Sequence, residues 1–285
     1  MRSRLTVALG RTARLAARMR GGGSGGTAFP GLVMERTDPG FLERTLSRLP
    51  RGVIVVSGTN GKTTTTKMVV QLLREQGLKV FTNRTGSNFV RGVLASLLTE
   101  VDAAGNLDAD IAVLELDEAH AVHFVARVRP RACLLLNVMR DQLDRFGEID
   151  YTASLLHSIA QATSDVVVLN GDDPRLAAPA FLEGVSARVV SFGAGEDLRS
   201  LFLSDDDLRT GLASPRDRGE GPGPRVTLEA INGQRATVRV DGTSHEVDFA
   251  IPGVHNLLNA CAALGAVLEV LGEDADLPGL LATLG

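Results

Sequence analysis

The sequence predicts an α/β fold: a mostly parallel sheet flanked by helices, with a small antiparallel flank. Three observations carry that expectation. Near-continuous apolar runs recur at 53–56, 78–81, 111–114, 132–136 and 166–169, as strands covered on both faces do. Helical patterns near 63–76, 89–100, 118–128 and 151–162 lie between them, the alternation of a parallel sheet. Polar and glycine residues follow each run, at the strand ends where open α/β sheets bind ligands.

Taken in order, residues 2–20 hold six arginines among apolar residues and no acid. Two readings stand: a helix packed on the domain with solvated arginines, or an interfacial helix at anionic lipid. A glycine-serine stretch covers 21–26, and Pro30-Gly31 and Asp38-Pro39-Gly40 mark turns. Residues 41–49 suggest a short helix. The segment 196–224, poor in apolar residues, reads as a mobile surface insertion. Alternating strands at 225–230, 236–240 and 245–249 follow, joined by the hairpin turns Asn232-Gly233 and Asp241-Gly242. A strong helix opens near 251 and runs to about 270. The expected division is a lead-in, 1–50, and an α/β body, 51–285.

Gly58-Thr59-Asn60-Gly61-Lys62-Thr63-Thr64 joins the first strand to the first long helix of the body. Glycines let backbone come close to an anion, and the N–H groups of a helix start point at it. Lys62 is placed for β- and γ-phosphates and the Thr63 hydroxyl for Mg²⁺. The widespread G-x-x-x-x-G-K-[ST] loop requires glycine at 56, where this chain has Val56. The first glycine is Gly58 instead.

The variant loop, the Thr85-Gly86-Ser87-Asn88 turn, Glu115, Asn137 with Asp141-Gln142-Leu143-Asp144-Arg145, Asn170-Gly171-Asp172-Asp173-Pro174 and Gly253-Val254-His255-Asn256 with Asn259-Ala260 occur in the order found in Mur ligase central domains. The resemblance spans about 53–270. Glu115-Leu116-Asp117-Glu118-Ala119 and Asp141 to Glu148 are most similar to the MurT branch, ligase-like subunits of lipid II isoglutaminyl synthases. Gln142 stands where many relatives have a metal-binding His. No lysine occurs after position 79, so the carbamylated lysine of many Mur ligases is excluded near 155–162. The family's C-terminal ligase domain is expected to be absent from this sequence.

The resemblance implies ATP and Mg²⁺, with Thr63 and Glu115 on the metal and Lys62 and Glu115 serving catalysis. Glu115 suits Mg²⁺ as a hard carboxylate at a strand end; a helix-start or surface charge is the alternative. Asn88 and Gln142 orient phosphate or metal waters, or are turn residues. Asn170 and Asp173 contact nucleotide, or cap the turn before Pro174. His255 and Asn256 start a helix, and Asn256 or Asn259 reads adenine by resemblance. The implied partners are lipid II, activated at a D-glutamate α-carboxylate, and a GatD-like glutaminase. The alternatives are an amino-acid ligase of the Mur or folylpolyglutamate type and a non-catalytic nucleotide-binding scaffold.

Composition narrows the field. The net charge of −4 over 285 residues gives no global field for nucleic acid. Cys133 and Cys261 read as buried small hydrophobes of a reducing compartment, one disulfide being the weaker reading. The sequence shows no apolar run of about 18 residues and no leader pattern. The expected location is cytoplasmic, at the inner membrane face if residues 2–20 engage lipid.

Overall fold

Strand β1, Val53–Ser57, is buried at every position and alternates between two cores. Ile54 and Val56 enter one; Val53 and Val55 enter the other. This explains why the sequence shows an unbroken apolar run, since each residue meets a covered face. The computed structural model describes residues 2–19, 28–83, 86–139, 148–204, 207 and 223–285.

Among the described residues the sheet has nine strands: β2 (Val80–Thr82), β3 (Ile111–Glu115), β1, β4 (Ala132–Leu135), β5 (Val166–Asn170), β6 (Arg188–Ala194), β7 (Val226–Asn232), β8 (Arg235–Val240) and β9 (Thr243–Asp248), in that spatial order. Pairings from β2 through β7 are parallel; β7, β8 and β9 pair antiparallel. The two hairpin turns form as the sequence indicates, with positive φ at Gly233, Asp241 and Gly242. Mixed topology with a mostly parallel body is the expected fold class.

One core packs α4 (Lys62–Glu75), α9 (Val254–Leu271) and α10 (Leu277–Leu284) on the sheet. The other packs α1 (Arg2–Met19), α2 (Ala28–Thr37), α3 (Phe41–Leu46), α5 (Val90–Glu100), α6 (Glu118–Val125), α7 (Glu148–Ala162) and the short α8 (Pro179–Leu182). The lead-in thus shares a core with the body through Val7, Met34 and Phe41. Helix α9 is apolar and long enough to cross a bilayer by composition, yet its apolar window is 72% buried inside the fold. Cys133 and Cys261 are free, buried in opposite cores, and burial pushes both thiols up to about 12. The disulfide reading falls.

Three expectations change. Pro30-Gly31 is no turn but part of α2. Proline fits a first helical turn, where its missing N–H has no intrahelical acceptor to lose. Gly31 is where α2 and α5 touch: an added Cβ would lie 2.0 Å from the Arg91 carbonyl oxygen. Strand β6 goes unpredicted, because its first four residues are exposed or half-buried and break the apolar signal. The supposed insertion begins in order: Glu196–Leu201 forms a 3₁₀ helix, and Arg199 pairs with buried Asp207 at 2.6 Å. Residues 205–206 and 208–222 lie outside the described residues.

Gly31→Ala is expected to lower stability by about 1–3 kcal/mol, since backbone cannot move aside as a side chain can. Urea unfolding should show a lower midpoint at unchanged slope. A midpoint equal to the parent's would refute the tight α2–α5 contact.

Candidate functional site

The glycine loop lies between β1 and α4, as the sequence places it. Gly58 has φ +132° and Gly61 φ +86°, the latter in the region disfavoured for residues with a Cβ. Space is also closed: a Cβ on Gly58 would lie 3.0 Å from the Asn137 amide nitrogen, and one on Gly61 2.8 Å from Asn259 Oδ1. The loop is fastened to the segment after β4. Asn60 N–H donates to Asn137 Oδ1 at 2.9 Å, and Asn137 Nδ2 returns a bond to the Asn60 carbonyl at 3.1 Å. Thr59 accepts from Met139 N–H at 3.0 Å.

Lys62 and Thr63 open α4. The Lys62 ammonium donates to the carbonyls of Gly58 and Thr59, the latter at 3.1 Å, and lies 3.6 Å from Glu118 Oε2. Thr63 Oγ1 donates to Glu115 Oε1 at 2.7 Å. Asn88 Nδ2 donates to the same oxygen at 2.7 Å, while Asn88 Oδ1 is buried with no partner. The Glu115 backbone is clamped by Asn83: its N–H donates to Asn83 Oδ1 at 2.9 Å, and its carbonyl accepts from Asn83 Nδ2 at 2.8 Å. Glu115 is only 5% exposed, and among the described residues no cation pairs with it. A cavity of about 610 Å³ reaches Thr63 and Glu115 and is lined also by Thr66, Lys67 and Arg74.

The remaining candidates divide. Asn259 lies against the loop at Gly61. Asn256 Nδ2 donates to the Pro252 carbonyl at 2.7 Å, and His255 stands edge-on to Phe202 with centroids 5.8 Å apart. Asn170 Oδ1 accepts from Asp172 N–H at 3.0 Å. Asp173 caps its own turn, accepting from the amides of Val138, Arg175 and Leu176; burial holds its carboxyl above the usual range despite those amides. Thr64 occupies the first turn of α4. Thr85 and the stretch Asp141 to Gly147, with Gln142, lie outside the described residues.

Sequence reasoning gave no role to three residues that the fold brings here: Asn83, Asn137 and Glu118. Each sits just beyond a strand end, and Asn137 and Glu118 also fall within the motifs that carry the resemblance. Among the described residues no group of three or more His, Cys, Asp and Glu side chains is disposed around a metal. The donor set that exists is one hydroxyl and one carboxylate. It fits Mg²⁺, which keeps several waters and takes few protein oxygens. The unpartnered Asn88 Oδ1 beside it is an acceptor available to such a water.

A glycine loop at the β1–α4 turn, with a buried carboxylate on the neighbouring strand, gives an α/β domain whose strand ends suit an anionic ligand. The model of the Mur ligase middle domain matches residues 56–267, and the chain belongs to that family. It is 30% identical over 88% of its length to the MurT subunit of the glutamine-hydrolyzing lipid II isoglutaminyl synthase of Streptococcus pneumoniae, of which it covers 60%. MurF of Acinetobacter baumannii shares the fold at a TM-score of 0.65 and 22% identity, over 90% of this chain and 49% of that one. MurF ligase of Thermotoga maritima, solved in complex with ADP, matches at a TM-score of 0.62 and 21% identity, over 86% and 52%. The chain thus spans about three-fifths of its MurT relative.

Burial raises the Glu118 carboxyl above its ordinary value more than Lys62 lowers it. The folded state then binds that proton more tightly than the unfolded chain does. Ionised Glu118 subtracts from stability above its folded pKa, and the penalty vanishes below the unfolded value. Glu118→Gln should therefore resist urea better than the parent near neutral pH, with the gap closing towards pH of about 4. A gap that does not change with pH would sink this assignment.

Proposed function

We propose that this chain binds ATP with Mg²⁺ and acts as the ligase-like subunit of a glutamine amidotransferase. The observation that carries the ATP reading is Glu115: a buried carboxylate, unpaired by any described cation, hydrogen-bonded to the threonine that opens the helix after a glycine loop. An isolated buried charge is expensive, and a divalent cation supplies what the described residues do not. Thr63 and Glu115 would hold it, and when bound it neutralises phosphate charge. The backbone of Gly58 to Thr64 cradles the phosphates, and Lys62 turns from its own carbonyls and Glu118 to the nucleotide.

The acceptor reading rests on the similarity to MurT. A D-glutamate α-carboxylate of lipid II attacks the γ-phosphorus of ATP, ADP leaves, and an acyl phosphate forms. Ammonia then attacks the acyl carbon, phosphate leaves and a proton is lost, giving the carboxamide of D-isoglutamine. A GatD-like glutaminase supplies the ammonia from glutamine. Positioning and charge neutralisation carry such a phosphoryl transfer. The place of work is the cytoplasmic side, where ATP is available. A carbamylated lysine takes no part, since all lysines lie at 62, 67 and 79.

Lys62→Ala removes the loop's one fixed cation. It should weaken Mg-ATP binding by at least about 1.5 kcal/mol, roughly tenfold in Kd, by titration calorimetry. Equal affinities would end the ATP assignment. Glu115→Gln keeps an acceptor oxygen for Thr63 and Asn88 but no charge. It should weaken the Mg²⁺ dependence of nucleotide binding and leave the apo melting temperature nearly unchanged. A large apo destabilisation with normal Mg²⁺ dependence would make Glu115 structural. The acceptor is tested separately. With a glutaminase subunit and a MurT-type subunit of the relatives' full length that carries this chain, lipid II should lose about one dalton by mass spectrometry as OH becomes NH₂ in the closed, water-excluding complex. No mass change, with ATP still bound, would refute the acceptor and spare the nucleotide site.

A further inference from the structure

Helix α1 has two apolar sides, and the domain uses one. Thr6, Val7, Gly10 and Ala13 are buried. Gly10 sits so close to α2 and α5 that an added Cβ would lie 2.9 Å from Met34 and 3.0 Å from Leu98. On the other side Leu5 is 62%, Leu15 60% and Met19 79% exposed, and Leu9 is exposed as well. With exposed Ala8, Thr12 and Ala16, these residues share an arc of roughly 120° at about 100° per residue. Single exposed leucines are ordinary; a continuous stripe along one helix is not.

Charge surrounds that stripe. Exposed Arg4 and Arg11 border one edge and exposed Arg2 the other, by the same helical spacing. Arg14, Arg18 and Arg20 add to the cationic content of the segment, and no acid occurs before Glu35. Glu35 itself is engaged by Arg91 and Arg127 at 2.7 and 2.8 Å. The whole chain carries −4, so this positive charge is local to one element.

We propose that the outer face of α1 docks on an anionic bilayer surface. The helix lies along the headgroup boundary, with Leu5, Leu9, Leu15 and Met19 turned to the acyl side and Arg2 and Arg4 at lipid phosphates. Arginine stems can cover apolar surface while the guanidinium stays at the polar level. A stable protein contact needs about 800 Å² on each partner, wider than a stripe one helix across. A membrane surface sets no such requirement. The inference stands apart from the ATP site, and it gives a lipid-linked acceptor a surface on which to meet the enzyme.

The test is flotation of the 285-residue chain with vesicles of phosphatidylcholine alone or mixed two-to-one with phosphatidylglycerol. The chain should float with the mixed vesicles, far less with neutral ones, and less as salt rises. The combined variant Leu5→Gln, Leu15→Gln and Met19→Gln should lose roughly tenfold or more in partitioning, while its melting temperature and ATP affinity match the parent's. If the combined variant shows no melting transition, Leu15→Gln alone carries the comparison, with a smaller loss. Three results would overturn the proposal: failure of the parent to float with anionic vesicles, parent-like flotation of the folded variant, or a parent dimer in analytical ultracentrifugation that the variant turns into monomer. The last would give the face to a second copy.

Discussion

The site depends on one buried carboxylate. Glu115 ends β3, and groups from the ends of its neighbours converge on it. Thr63 comes from the helix after β1, and Asn83 and Asn88 from the segment after β2. Removing an ionised carboxylate from water is costly unless hydrogen bonds and an opposite charge compensate. Hydrogen bonds to Glu115 Oε1 from Thr63 and Asn88 are present. Among the described residues no opposite charge pairs with it, and the nearby Lys62 faces Glu118. The parallel arrangement is what permits this. Adjacent parallel strands end on the same side, so the segments after β1 and β2 can both reach Glu115.

Most of the fold was legible because burial on both faces leaves a plain mark. Ile54 and Val55 enter different cores, yet both must be apolar. Where only part of a strand is covered, the mark fades, and β6 was lost for that reason: Arg188 is exposed and Val189 to Ser191 are half-buried. Helix α2 failed differently. Proline and glycine usually punctuate, but Pro30 stands in a first turn and Gly31 answers to the backbone of Arg91. The second reason is tertiary and has no local signature.

Local chemistry could be read; pairings across the sequence could not. The loop Gly58 to Thr64 announces itself because its function resides in consecutive backbone groups. Glu115 and Asn88 emerged by resemblance, and the structure joins them at 2.7 Å. The bond between Asn60 and Asn137 spans 77 positions, and nothing within either segment records it. Asn170 and Asp173 show the opposite case. Two readings were open for each, and the described contacts are with their own turn. Asp173 nevertheless serves the site, since it holds Val138 next to the segment that fastens the loop.

Charge balance at the strand ends sets what the site can accept. Before any ligand arrives, Lys62 faces Glu118, while Glu115 has only neutral partners such as Thr63 among the described residues. A nucleotide, if it binds here as proposed, would bring further negative charge to this region. Burial of Glu118 favours its proton, which frees Lys62 from one competitor without adding positive charge. A divalent cation on Glu115, as proposed, would compensate the other carboxylate and part of the phosphate together. Nucleotide and metal should therefore bind as mutually dependent ligands. The coupling is reciprocal: whatever factor Mg²⁺ adds to the affinity for ATP, ATP adds to the affinity for Mg²⁺. On the proposed reading, the polar contacts from Thr63, Asn83 and Asn88 hold Glu115 in place for a cation and a nucleotide.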